Sequence, residues 1–106
     1  MDLVVEIYKI TENYPKSEMY GLVSQTRRSA VSIPSNIAEG RRLGSRKDFR
    51  QFLIAAFGSG AELETQIQIV KRLLWSRNIN FEKADSLLNE VMKMLNKMIF
   101  SLQATN

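Results

Sequence analysis

The side chains of this chain best suited to specific chemistry are arginines and lysines concentrated in one segment. Seven of them lie between positions 27 and 50: Arg27, Arg28, Arg41, Arg42, Arg46, Lys47 and Arg50. With Glu39 and Asp48 included, this segment carries +5, whereas the whole chain carries +4. Guanidinium groups bind phosphate oxygens in a planar, bidentate way, so the segment predicts contact with a polyanion. A solvated helix junction is the alternative interpretation.

The residue types that are missing exclude several other kinds of chemistry. The chain contains no Cys and no His. It therefore has no disulfide, no thiolate nucleophile and no zinc–thiolate site, and it lacks the commonest general base and metal ligand. No phosphate-binding loop or dinucleotide fingerprint is present either. Catalysis through Glu, Lys, Ser or Tyr stays open, but none of these is arranged for it, and we expect no enzymatic activity, no metal and no cofactor.

Length and hydropathy favour one cytoplasmic domain. The 106 residues are enough for a single modest core, so we expect one domain over residues 1–106. No apolar run approaches the ~20 residues that a membrane span needs. The N-terminus carries the acids Asp2 and Glu6 where a secretory signal would carry lysines. We therefore expect a cytoplasmic protein without a membrane partner.

The basic residues must be positioned by helices, because the apolar residues repeat every three or four positions. The first helix is predicted over about residues 2–13, with a stripe formed by Leu3, Ile7, Ile10 and Tyr14. Ser17 is a plausible N-cap for the second helix, which is expected to end at Gly40. Its stripe comprises Met19, Val23, Thr26, Ala30, Ile33 and Ile37. Pro34 removes one donor and predicts a kink or short break over residues 33–35.

The third and fourth helices form the best-defined pair. Ser45, with Asp48 three residues later, resembles a capping box that opens a third helix running to about Ser76. Asn80 caps a fourth helix, whose stripe comprises Ala84, Leu88, Val91, Leu95, Met98 and Leu102. Four amphipathic helices with short connections predict an all-α, antiparallel up-down-up-down four-helix bundle.

A second apolar face predicts self-association. Four large residues lie about 100° or more from the seam of the third helix: Ile54, Phe57, Ile69 and Trp75. An exposed patch of this size is typical of an interface, so we expect a homo-oligomer. The alternative is a central third helix that its own chain covers on two sides. The small residues from Ala55 to Ala61 predict the close approach of another helix, with a binding groove as the alternative.

The two pairs of basic residues beside the predicted turn differ in how well a helix explains them. Arg41 and Arg42 follow the end of the second helix, where cations stabilise the helix dipole. Arg46 and Lys47 lie in the first turn of the third helix, where positive charge is unfavourable by about 0.3–1 kcal/mol at low salt. A phosphate bound there would offset that cost, so we expect the phosphate contact at this helix start.

The remaining arginines have more than one interpretation. Arg28 points outward, whereas Arg27 is either a phosphate contact or a structural residue paired with an acid. The candidate acids are Glu39, Glu62 and Glu64. Arg50 is expected either to pair with a residue near Asp48 or to contact solvent. Aromatic interleaving that would favour base stacking is not present, so contacts should be mainly to the phosphate backbone and steeply salt-dependent. The predicted nucleic-acid contacts are Arg28, Arg41, Arg42, Arg46, Lys47 and Arg50.

Two segments carry a family resemblance. Arg27–Gly40, with its Ile-Pro-Ser-Asn-Ile-Ala-Glu-Gly end, resembles the signature of four-helix-bundle proteins encoded in intervening sequences of bacterial 23S rRNA genes. The second half of the signature follows from Ser45 to Gln66, with Gly60 as a departure. The resemblance covers nearly the whole chain.

The resemblance implies a helical bundle that assembles into a ring-like homopentamer without catalytic activity. Related accessory variability determinant proteins of diversity-generating retroelements bind a reverse transcriptase and nucleic acid through a basic surface. The motif positions that we interpret as structural, buried or at the bundle edge, are Arg27, Pro34, Asn36, Glu39, Gly40, Glu62 and Glu64. Asn36 would satisfy backbone groups freed near Pro34, and Glu39 and Glu62 would hold Arg27.

These observations together predict a non-enzymatic, homo-oligomeric bundle that binds the RNA or DNA backbone through its basic surface. Its partner would be a ribosomal-RNA or reverse-transcriptase nucleoprotein, to which it would be an accessory. The alternative is a scaffold that docks an acidic protein partner without nucleic acid.

Overall fold

The computed structural model describes residues 1–103, which form four α-helices and no β-strand. The helices are α1 (Asp2–Thr11), α2 (Ser24–Leu43), α3 (Arg46–Lys71) and α4 (Glu82–Gln103). A 3₁₀ turn (Lys16–Glu18) and a π-helical turn (Met19–Val23) precede α2, and a 3₁₀ turn (Leu74–Ser76) follows α3. The all-helical prediction is confirmed, while positions 104–106 of the predicted domain lie outside the described residues.

The segment before α2 differs from the predicted regular helix. Ser17 lies inside the 3₁₀ turn, and the prediction that its side chain caps a helix is wrong. The π-helical turn that follows accommodates one more residue per hydrogen-bonded ring than an α-helix, so the three-four periodicity loses its phase there. Met19 is consequently exposed, and the buried stripe begins at Val23.

Gly40 does not end α2, which continues to Leu43. The C-terminal cap is Gly44, whose φ of 79° is the left-handed conformation that favours glycine. Gly40 is instead buried, and a Cβ atom added to it would lie 2.8 Å from the Cβ of Phe52. This glycine therefore allows α2 and α3 to approach each other closely.

The predicted break at Pro34 is not found, because α2 is α-helical on both sides of it. The alternative of a kink over residues 33–35 stays a prediction. The flanking residues Ala30 and Ile33 are fully buried, and their packing holds the helix together. The side-chain amide of Asn36 donates to the backbone carbonyl of Ser32 at 2.8 Å and to its hydroxyl at 3.0 Å. Asn36 thus stabilises this turn, although it does not reach the Ala30 carbonyl that Pro34 deprives of a donor.

The predicted caps of α3 and α4 are confirmed. The Ser45 hydroxyl accepts from the backbone N–H of Asp48 at 3.0 Å, and the Asn80 side chain accepts from that of Glu82 at 2.9 Å. The end of α3 was predicted wrongly, because the helix stops at Lys71. Residue 73 adopts an extended conformation, with ψ of 139°, before the 3₁₀ turn begins.

One hydrophobic core joins all four helices. Its fully buried members are Leu3, Ile7, Ala30, Ile33, Leu53, Ala56, Leu63, Ile67, Val70, Ala84 and Leu95. The α2–α3 contact is the most extensive, α4 packs on α3, and α1 lies against α2 and α4. A Cβ atom on Gly60 would overlap the sulfur of Met92, so Gly60 makes room for α4. Part of the small-residue run is therefore explained by contact within the chain.

Candidate nucleic-acid interface

Four exposed cations surround the connection between α2 and α3. Arg41 and Arg42 lie in the last turn of α2, and Arg46 and Lys47 lie in the first turn of α3. Only two residues separate these helices, so the four side chains lie at one corner of the molecule. None of them takes part in an ion pair within residues 1–103. We call Arg41, Arg42, Arg46 and Lys47 the basic corner.

The helix dipoles act differently on the two halves of the basic corner. Arg41 and Arg42 are stabilised by the negative end of α2, whereas Arg46 and Lys47 stand at the positive end of α3. The first-turn N–H groups of a helix have no carbonyl partner within that helix. Asp48 is an exposed acid in the same turn and offsets one positive charge. The corner retains an excess of positive charge that its own residues do not neutralise.

Arg50 was predicted as a phosphate contact, but its guanidinium forms hydrogen bonds within the chain. Its Nε donates to the backbone carbonyl of Ile99 at 3.2 Å, and its Nη2 donates to the side-chain oxygen of Gln103 at 3.3 Å. The predicted contact near Asp48 is not found, and the side chain is half-buried against the last turn of α4. Arg50 therefore ties the start of α3 to the end of α4.

Arg27 is held by α1 rather than by an acid. Its Nε donates to the Thr11 hydroxyl at 2.8 Å, and its guanidinium carbon lies 4.4 Å from the centre of the Tyr8 ring. The predicted pairing with acids is wrong, and the motif acids thought to be buried or paired are exposed and form no ion pair within residues 1–103: Glu39, Glu62 and Glu64. The reason is geometric, because Arg27 lies on the face of α2 that meets α1.

Arg28 belongs to a second surface, away from the basic corner. It is exposed and lies thirteen positions before Arg41 on the same helix, a separation of roughly 20 Å at 1.5 Å per residue. On one side it borders a cavity of about 430 Å³ between α2 and α3, which Ser32, Glu62 and Gln66 also line. The basic segment of the sequence is thus divided into two surfaces in the fold.

Two tyrosines that sequence reasoning did not connect with the basic residues lie beside Arg27 and Arg28. A groove of about 480 Å³ between α1, the π-helical turn and α2 is lined by Tyr8, Met19, Tyr20, Val23, Ser24, Arg27, Arg28 and Val31. Tyr20 is 93% exposed. The available signal was the spacing of Tyr20 and Arg27, which are seven residues, or about two helical turns, apart.

The predicted interface residues occupy two different environments. Ile54 and Ile69 are exposed on α3, whereas Phe57 is half-buried against the core. Trp75 is not on α3 at all, because that helix ends earlier; its ring lies 5.0 Å from that of Tyr14. Gly58 lies one turn after Ile54 and is exposed, and a Cβ atom added to it would have no neighbour within 4 Å. No contact among the described residues, 1–103, explains a glycine there.

The family model for the 23S rRNA-intervening sequence protein matches residues 1–97. The chain belongs to this family. The resemblance carried by Arg27–Gly40 and by residues 45–66 is thereby confirmed. The match covers the basic corner, the groove lined by Tyr8 and Tyr20, and all of α3. A search of curated proteins finds no match. No helix within residues 1–103 combines the length and the apolar character needed to span a membrane.

Proposed function

We propose that this protein is a non-enzymatic, homo-oligomeric bundle that binds the phosphate backbone of RNA or DNA. The observation that carries the proposal is the basic corner, where four exposed cations that form no ion pair within residues 1–103 surround a two-residue connection. The name of the family refers to 23S rRNA, which agrees with association with RNA. An accessory role in a ribosomal-RNA or reverse-transcriptase nucleoprotein would use this surface.

The binding mode follows from the types of side chain at the corner. Arginines and a lysine on an exposed, convex surface contact phosphates as donors and charges, and they do not read base edges within a groove. Binding should therefore depend weakly on sequence and strongly on salt. Neutralising four phosphates would account for a slope of log K against log salt of about −3 for single strands and −3.6 for duplex DNA.

We infer that the four helices form an up-down-up-down bundle. Contacts between consecutive helices join the end of one to the start of the next, and the start of one to the end of the next, as expected for antiparallel neighbours. Gly40 lies against Phe52 and Ser32 bonds to Ser59, while the contacts of α3 with α4 join Arg50 to Ile99 and Lys71 to Asp85. In this arrangement the basic corner and the end of α4 share one end of the bundle.

We propose that the outer face of α3 joins the subunits of the oligomer. Ile54, Gly58 and Ile69 lie on one side of this helix, since positions 54, 58 and 69 fall within about 60° of one another. An exposed helical glycine is unfavourable by about 1 kcal/mol relative to alanine, and the close approach of a second subunit would offset that. A ring, pentameric as the family resemblance implies, would repeat the basic corner around its axis and raise its avidity for a long strand.

The nucleic-acid proposal is tested by removing the four charges of the basic corner. We compare Arg41, Arg42, Arg46 and Lys47, all replaced by Ala, with a control that removes four other exposed cations: Lys9, Lys16, Arg72 and Arg77. Both variants lose the same net charge. Fluorescence anisotropy with labelled RNA and DNA at low salt should show a large loss of affinity for the corner variant and a small one for the control.

Two results would contradict the proposal. One is the absence of binding by the unmodified protein at low salt; the other is an equal loss in the two variants, which would indicate a general effect of net charge. If the protein instead retains an acidic protein partner after nuclease treatment but no nucleic acid, the scaffold function replaces the one proposed here.

The subunit contact has its own test. Gly58→Gln places a long side chain on the outer face of α3 without disturbing the core, and Ser86→Gln introduces the same side chain at an exposed position of α4. Light scattering should show a smaller particle for Gly58→Gln and an unchanged one for Ser86→Gln. A monomeric unmodified protein at micromolar concentration, or an unchanged Gly58→Gln particle, would contradict the proposed contact.

A further inference from the structure

The groove beside Arg27 and Arg28 has a composition that the basic corner lacks. Its rim carries two tyrosine rings and two guanidinium groups, and the apolar side chains of Val23 and Val31 also line it. Tyr20 projects from the π-helical turn and leaves 93% of its surface in solvent, so both faces of its ring are available. We call this surface the tyrosine groove.

The π-helical turn is what places Tyr20 at the rim. Such turns are uncommon and are frequently found at functional sites. Here the turn directs Met19 and Tyr20 outward while Val23 points into the core. A regular helix through this segment would extend the buried stripe to Met19, as the sequence pattern indicates. The irregular turn therefore exposes Met19 next to Tyr20 and the arginines.

The two arginines of the groove differ in freedom. Arg27 is fixed by the Thr11 hydroxyl and stacked on Tyr8, so it contributes a rigid positive charge. Arg28 is exposed and takes part in no ion pair or side-chain hydrogen bond within residues 1–103. Its guanidinium is available to a ligand. The groove thus combines an open aromatic face with an available phosphate contact.

We propose that the tyrosine groove binds an unpaired nucleotide of RNA or DNA, with its base stacked on Tyr20 and its phosphate bound by Arg28; this inference rests on the proposed function. An aromatic face beside cations is the arrangement by which proteins hold single strands. A base inside a duplex is already stacked on its neighbours, so its face is not available to the ring of Tyr20. The groove therefore selects unpaired nucleotides.

The position of the groove agrees with a strand that continues to the basic corner. Arg42 lies fourteen residues after Arg28 on α2, which places the two within about 40° of each other around the helix and roughly 21 Å apart along it. At the stacked spacing of about 3.4 Å per nucleotide, roughly six nucleotides cover that distance. Glu39 is the one carboxylate of α2 and lies between them. The cations of this path lie at its two ends, Arg28 in the groove and Arg41 and Arg42 at the basic corner, where each end would bind phosphates of the same strand.

The test compares Tyr20→Ala with Tyr20→Phe, which keeps the aromatic face. The probes are oligo(rU) and oligo(dT) of about ten nucleotides, within the range that one single-strand site covers, and a duplex of the same length. Tyr20→Ala should weaken single-strand binding about five- to a hundredfold, the range expected for loss of one stacked base, and leave duplex binding unchanged. Tyr20→Phe should bind both as the unmodified protein does. A difference between oligo(rU) and oligo(dT) identifies which nucleic acid the groove prefers.

The possible failures are distinguishable. If Tyr20→Ala leaves single-strand binding intact while the basic-corner variant loses it, the groove inference is wrong and the proposed function stands. If Tyr20→Ala weakens single-strand and duplex binding equally and changes the particle size in light scattering, the groove is a subunit contact, which also overturns the inference. If the unmodified protein binds neither probe at low salt, both proposals fail.

Discussion

Arg50 and Arg46 lie four residues apart in α3. We predict that substitutions at these two positions have opposite effects on stability and on nucleic-acid binding. Arg50→Lys keeps the charge but loses the planar fork that contacts the Ile99 carbonyl and the Gln103 side chain. We expect the free energy of unfolding to fall while nucleic-acid affinity stays constant. Arg46→Ala should do the reverse, because Arg46 is exposed and forms no ion pair within residues 1–103.

The size of the Arg50 effect follows from its two contacts. A hydrogen bond from a charged donor contributes about 1.5–3 kcal/mol when partly buried, as the Nε–Ile99 bond at 3.2 Å is. The bond to Gln103 is exposed and 3.3 Å long, so its contribution is small. Since lysine can still reach one carbonyl, we expect a loss of about 1 kcal/mol, which lowers Tm by about 4–8 °C in a domain of this size.

The assay is thermal and urea unfolding followed by helical circular dichroism, together with anisotropy titrations of the same preparations. Arg46→Ala should leave stability unchanged or raise it by about 0.3–1 kcal/mol, because it removes a cation from the positive end of α3. Arg46→Lys is the matched control and should change neither quantity. An Arg50→Lys protein as stable as the unmodified one, or one that loses affinity instead, would refute the structural role assigned to Arg50.

Three further predictions concern packing, titration and charge. Gly40→Ala should lower the free energy of unfolding by about 1 kcal/mol or more in urea titrations. The reason is that the clash with Phe52 outweighs the gain of ~1 kcal/mol in helix propensity. Unchanged stability would contradict the close α2–α3 contact. Burial raises the pKa of Tyr14 to about 12, so the unfolded chain releases this proton at a lower pH than the folded protein does. The free energy of unfolding should therefore fall between about pH 10 and 12, by about 2 kcal/mol more than it does in Tyr14→Phe. Equal losses in the two proteins would refute that assignment. Glu39→Gln should tighten binding of a single strand long enough to join the tyrosine groove to the basic corner, and an unchanged affinity in anisotropy titrations would place the strand elsewhere.

Much of the fold could be predicted because its signals are local. The apolar repeat of Leu3, Ile7 and Ile10 reports directly which face of α1 is buried, and all three are in the core. Caps such as Ser45 act within three residues and are legible in the sequence for the same reason. The role of Gly40 was predicted wrongly, however, because a glycine near a helix end is compatible both with a C-terminal cap and with a close contact between helices. Only the position of Phe52 decides between these roles.

The candidate site was less predictable because it depends on contacts between distant positions. The sequence cannot show that Arg27 meets Thr11 and Tyr8 on another helix, or that Arg50 reaches the last turn of α4. A prediction from charge alone therefore assigns Arg27 and Arg50 the same phosphate-binding role as Arg46. The π-helical turn that exposes Tyr20 has no pattern of its own in the sequence, so the tyrosine groove was not found there.

The central claim is that the basic corner binds phosphates, and its most direct measurement is the salt dependence of binding. Dissociation constants for a single-stranded RNA are measured over a range of salt concentrations, for the unmodified protein and for the variant with Arg41, Arg42, Arg46 and Lys47 replaced by Ala. We predict that the slope of log K against log salt becomes shallower by about 3 in the variant, the value for four phosphate contacts on a single strand. An unchanged slope would contradict the account.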